Sequence, residues 1–173
     1  MALDPEQTKH YISILHRSDI FHDLSAPQME MIASLCSEIE LQKGEVLFEE
    51  HSTGDELYVI ADGMIDIVLS AGVVERMTEE AASEPLTVAT LRQGQTFGEL
   101  ALVDKGLRSA SAHCASRKAR LLVIERDRLL RLCDSYPDLG YLLMRNVAAD
   151  LAFKIRDTDL MIRERLLWQP REG

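Results

Sequence analysis

The chain has 173 residues, a net charge of −10 and an isoelectric point near 4.9. Its 46% hydrophobic content can bury a core, and its length suits one domain with an appended helix. The acidic balance argues against a duplex-binding face, and no apolar run reaches the ~18 residues of a membrane span, so a cytoplasmic protein without leader or membrane segment is expected.

Asp4-Pro5-Glu6 opens a helix, with Asp at the cap, Pro at the first helical position and an acid behind it. It should run to about His16, with Ile12, Ile14 and Leu15 as its apolar face. Phe21 to Leu24 makes a bend. Ser25-Ala26-Pro27-Gln28 starts a second helix with capping-box spacing, and Met29, Ile32, Ala33 and Leu35 supply its buried side. Residues 1–40 therefore read as an N-terminal helical segment.

From Leu41 the texture changes to short runs rich in branched residues: Val46–Phe48, Leu57–Ile60 and Met64–Leu69. Asp62-Gly63 is a hairpin signal between two of them, and Gly44, Gly54 and Gly72 mark further turns. Glu75 to Ser83 is polar and reads as a loose loop; Pro85 to Leu91 resumes a strand. Ser109–Cys114 and Leu121–Ile124 are the last strand-like runs. Short strands at roughly ten-residue spacing across 41–125 imply an all-β sandwich or barrel.

Residues 126–173 return to helix. Asp127 is placed to cap a short helix through Cys133, and Pro137 opens a long one running to about Trp168, stopped by Pro170. Met144, Val147, Leu151, Ile155, Thr158 and Ile162 recur at three- and four-residue steps, an approximate coiled-coil seam. Only three residues follow Pro170, so no helix-turn-helix is expected there. Cys36, Cys114 and Cys133 are odd in number and far apart, which suits reduced thiols. The five histidines form no His-x-His pair or His-Glu cluster at metal spacing, so no metal centre is expected.

The stretch Phe97 to Ala112 carries the chemistry. It reads as a strand end, a glycine turn, a short apolar helix, a loop, and Arg108 at the head of a small-residue strand. A helix start offers unpaired N–H groups, Gly98 permits close approach, and Arg108 adds a permanently charged fork. That set suits a compact anion. Glu99 would repel an anion unless the ligand also carries a hydroxyl, such as a ribose 2′-OH. Anion and hydroxyl together describe a cyclic nucleotide.

The stretch resembles the phosphate-binding cassette of cyclic-nucleotide-binding domains. Phe97-Gly98-Glu99-Leu100-Ala101-Leu102 and Arg108-Ser109-Ala110 carry the likeness. It extends upstream through Gly44-Glu45-Val46-Leu47-Phe48, Gly54-Asp55-Glu56-Leu57-Tyr58-Val59-Ile60 and Gly63. Two positions depart: His51 stands where a turn glycine is common, and Leu107 where Pro is common. The resemblance covers about residues 13–160 and implies an eight-stranded double Greek-key jelly roll with N-terminal helices and a long C-terminal helix.

It also implies a non-catalytic sensor whose ligand is cyclic AMP, rather than cyclic GMP, with no further cofactor. Arg108 and the cassette amides of Gly98, Leu100, Ala101 and Ala110 would hold the phosphate, aided by Ser109, and Glu99 the ribose. A surface arginine paired with Asp104 or Glu99 is the plainer alternative for Arg108. The base would lie near Asp150, Phe153, Lys154 and Arg156, residues that otherwise read as solvated or packing positions. An unidentified effector protein, a homodimer through the long helix and no direct DNA contact complete the expectation. A jelly-roll interaction module with an empty pocket, and a cupin-type metalloenzyme, are the alternatives.

Overall fold

A computed structural model describes residues 4–72 and 84–168. Helix α1 (Pro5–Leu15), a 3₁₀ turn (Asp19–Phe21) and α2 (Ala26–Ala33) precede eight strands. These are β1 (Ser37–Gln42), β2 (Val46–Phe48), β3 (Glu56–Asp62), β4 (Met64–Leu69), β5 (Leu86–Arg92), β6 (Thr96–Phe97), β7 (Ser111–Cys114) and β8 (Lys118–Glu125). The short α3 (Leu100–Val103) lies between β6 and β7, and α4 (Arg126–Ser135) and α5 (Pro137–Trp168) follow. The strands form two antiparallel four-stranded sheets, ordered β1-β8-β3-β6 and β2-β7-β4-β5. That interleaving is the jelly roll the resemblance implied.

The helix starts follow local chemistry. Gln28 accepts the Ser25 N–H at 2.8 Å, so the box spacing at α2 is used. Asp4 caps α1 by position, without a side-chain hydrogen bond. α1 ends at Leu15, and Tyr11 joins Ile14 and Leu15 on its buried face.

β3 explains how the two cores share one sheet. Its residues alternate, with Leu57, Val59 and Ala61 facing the helices and Tyr58 and Ile60 facing the sandwich interior. Because both faces are covered, the strand reads as one unbroken apolar run. On the helical side the cluster takes in Met29 and Ile32 of α2, Leu129 of α4 and Leu139, Leu143 and Val147 of α5.

Several expectations change here. Asp62-Gly63 is a turn but closes no hairpin: β3 pairs with β6 and β8, β4 with β5 and β7, so the turn carries the chain between sheets. β1 begins at Ser37, ahead of the change of texture at Leu41, because its polar SEIELQ sequence is largely exposed and lacks a branched run. β7 begins at Ser111, leaving Arg108 in the loop before it. Glu125, not Asp127, occupies the cap position of α4, which extends to Ser135.

The seam on α5 is split. Val147 is buried against the chain's own core, with Met144 and Leu151 packed beside it, whereas Ile155 is 63% exposed. Asn146 pins α5 further, its amide donating to the His22 carbonyl at 2.7 Å. The proposed loop at Glu75–Ser83, the Ile162 side chain and the stop at Pro170 lie outside the described residues. Among the described residues no helix is long and apolar enough to cross a membrane, and no three His, Cys, Asp or Glu are grouped to hold a metal. The three cysteines are unpaired; burial pushes the Cys36 thiol up to about 12.

Candidate functional site

The jelly roll and α5 enclose a cleft of about 1260 Å³. Gly98, Glu99, Leu100, Ala101, Arg108, Ser109 and Ala110, singled out from the sequence, all line it. β6 delivers the chain to Gly98, whose φ of +80° turns it into the single-turn α3. A side chain there would also collide: a Cβ would lie 2.7 Å from the Glu56 carbonyl oxygen and 2.8 Å from an Arg108 guanidinium nitrogen.

Arg108 is 7% exposed and its guanidinium is fully framed. One terminal nitrogen meets Glu56 Oε2 at 2.9 Å and the other donates to the Glu56 carbonyl at 3.2 Å. The guanidinium carbon stands 4.3 Å from the Phe48 ring centre and 5.6 Å from that of Tyr58. Gly54 closes the other side, where a Cβ would come within 2.6 Å of Nε. The partner is thus Glu56, neither Asp104 nor Glu99. The Arg108 Nε is buried with no hydrogen-bond partner among the described residues.

The backbone fixes the same loop. Arg108 N–H donates to the Ser52 carbonyl at 2.9 Å, and the Arg108 carbonyl accepts from His51 N–H at 2.8 Å. His51 holds a φ of +63°, so the position where the likeness anticipates glycine does adopt the left-handed backbone that favours it. Tyr58 stacks on Phe97 at 5.1 Å and reaches Glu56 with its hydroxyl. Burial first, then the Glu56 carboxylate, pushes its phenol up to about 12.

Glu99 occupies the cap position of α3 and is 6% exposed. Its Oε1 pairs with Lys154 Nζ of α5 at 3.0 Å, while its Oε2 is buried without a partner among the described residues. Lys154 also meets Asp150 at 2.8 Å and the Thr96 carbonyl at 3.0 Å. Among the described residues, four that line the cleft thus carry a buried side-chain atom without a hydrogen-bond partner: the donor Arg108 Nε, the acceptor Glu99 Oε2, Ser18 Oγ, and Asp150 Oδ2, which has the Lys154 charge beside it.

Other assignments sort differently. Ala101 N–H is given to the Gly98 carbonyl at 3.1 Å, so that amide is engaged inside the turn. Ser109 is exposed, and Ala110 is buried. Of the α5 residues, Asp150, Phe153 and Lys154 line the cleft and Arg156 does not. Leu100, Leu107, Phe153 and Ile155 give it an exposed apolar rim. Glu56, Phe48 and Tyr58 escaped the sequence reading as site residues: a lone acid and two aromatics on strands carry no signal distinct from ordinary strand composition.

Comparison with known proteins agrees with this geometry. The family described as "Cyclic nucleotide-binding domain" matches residues 38–136. The chain is 30% identical over 143 residues to the cyclic AMP receptor protein of Thermus thermophilus, covering 83% of this chain and 60% of that protein. It is 28% identical to the cAMP-dependent protein kinase regulatory subunit of Schizosaccharomyces pombe, covering 79% of this chain and 29% of that one. The chain thus spans less than two thirds of the length of either relative. The crystal structure of a cyclic nucleotide-binding domain from Methylobacillus flagellatus shares the fold, with a TM-score of 0.76 at 21% identity over 92% of this chain and 84% of that one. Because that family's pattern matches more than half of the chain, the chain belongs to the cyclic nucleotide-binding domain family.

Proposed function

We propose that this domain is a cyclic AMP sensor that acts on a separate effector protein. Arg108 and the amides around Gly98, Leu100 and Ala110 hold the cyclic phosphate, Ser109 stands at its edge, and Glu99 accepts the ribose 2′-hydroxyl. The base lies against the apolar rim of Leu100, Leu107, Phe153 and Ile155. The observation that carries this reading is that Arg108 and Glu99, each with a buried atom lacking a hydrogen-bond partner, Nε and Oε2, line the same cleft. A donor and an acceptor left open at such depth are costly unless a ligand completes them.

Cyclic AMP is chosen over cyclic GMP because the Thermus receptor and the fission-yeast subunit are both named for cyclic AMP. The division at residues 1–40, 41–125 and 126–173 gives the domain a base, a binding body and an output arm. Output is by α5: a ligand that fits one placement of that helix better shifts the population toward it. We place the protein in the cytoplasm, as a homodimer joined by α5 and without direct DNA contact, in keeping with the net charge of −10.

A second reading has its own support. Arg108 and Glu99 are already paired, with Glu56 and Lys154, so the pocket could persist empty as a protein-interaction module. Calorimetric titration with cyclic AMP and cyclic GMP separates the two. Saturable binding with cyclic AMP the tighter ligand is expected; no heat with either ligand would leave the empty module standing.

A further inference from the structure

Glu99 divides its two oxygens between two environments. Oε1 is held by Lys154 at 3.0 Å, and Oε2 is buried without a hydrogen-bond partner among the described residues, on a side chain that lines the cleft. Lys154 has three N–H bonds to give, and three acceptors meet its nitrogen: Glu99, Asp150 at 2.8 Å and the Thr96 carbonyl at 3.0 Å. The ammonium donates a hydrogen bond to the Thr96 carbonyl and has its charge matched by the two carboxylates beside it.

Its acceptors lie on both sides of the glycine bend. Thr96 opens β6 ahead of Gly98, Glu99 follows the glycine, and Asp150 sits one turn back on α5. The lysine thus fixes the direction of the carboxylate from outside the cassette. It also sets a positive charge beside a carboxylate that must tolerate an incoming phosphate.

Building on the cyclic-nucleotide reading above, we propose that Lys154 is the positioning residue for ribose recognition, holding one oxygen of Glu99 so that the other meets the ligand's 2′-hydroxyl. Discrimination between a ribose and a 2′-deoxyribose ligand then depends on a residue of α5 that does not touch the sugar.

The test measures dissociation constants for cyclic AMP and 2′-deoxy cyclic AMP on the wild-type chain, Lys154→Met and Lys154→Gln, with thermal melts of each. The wild type should prefer the ribose ligand by tenfold or more. Lys154→Met should bring that ratio close to one, and Lys154→Gln, which keeps two donors, should fall between. Glu99→Gln should collapse the ratio too, and the double variant with Lys154→Met should do no more than either alone. A folded Lys154→Met that weakens both ligands equally and keeps the wild-type ratio overturns the proposal. A wild type that binds both ligands without preference overturns it as well, leaving the sensor reading intact. A wild type that binds neither ligand overturns both readings together.

Discussion

Arg108 shows how one side chain is made ready before any ligand arrives. Its charge is matched by Glu56, its plane rests on Phe48, and Gly54 and Gly98 leave room where any Cβ would intrude. A charge-assisted hydrogen bond is worth about 1.5–3 kcal/mol net, or roughly ten- to a hundredfold in affinity. Arg108→Ala should therefore weaken cyclic AMP binding by at least that factor in calorimetry, and unchanged affinity would remove Arg108 from the site. His51 makes a separate prediction. A non-glycine residue in the left-handed region carries strain, partly offset by the lower chain entropy of the unfolded state. His51→Gly should raise stability by about 0.5–1 kcal/mol, read as a melting temperature higher by roughly 1–4 °C. A lower melting temperature would mean that the imidazole contributes more than its backbone costs.

At the scale of elements, the sequence made the strands and the long helix visible wherever a face is buried. β4 and α5 announced themselves through branched runs and three-four spacing, and Pro137 marked the helix start where it lies. β1 did not, because its Ile39 and Leu41 alternate with exposed polar residues and form no contiguous apolar run. The cassette was legible because its residues adjoin in sequence. Glu56 and Lys154 were not readable as partners, since they reach Arg108 and Glu99 across 52 and 55 positions, a pairing no local pattern encodes. Periodicity also could not say which partner a helix face meets: Met144, Val147 and Leu151 serve the chain's own core. Among its described residues, the large apolar side chains α5 leaves outward are Tyr141 near its start and Phe153, Ile155 and Leu160 further along, at 69%, 66%, 63% and 58% exposure; the last three form the candidate face. If that face joins two copies, light scattering over a dilution series should give a dimer, and Leu160→Asp, which lies outside the cleft lining, should return a monomer that still binds nucleotide. A wild type that is monomeric at every concentration would refute the pairing.

Across the whole molecule, the interior of the sandwich sets a pH limit. The Tyr58 phenol titrates near 10 when exposed and is pushed up to about 12 by burial and by Glu56. A raised folded pKa means the native state keeps its proton longer than the unfolded chain. The stability this supplies is complete below pH 10 and is lost as the pH climbs from about 10 through about 12. Melting temperature should fall through that window more steeply for the wild type than for Tyr58→Phe; equal slopes would mean the phenol is not shielded.

The position of the Arg108–Glu56 pair has one more consequence. Arg108 leads into β7 of one sheet, and Glu56 begins β3 of the other, so this contact rivets the two layers together beside the cleft. A nucleotide seated on that rivet would stiffen both layers at once. Deuterium uptake in β3 and β7 should then slow in step on saturation, although the two strands share no backbone ladder.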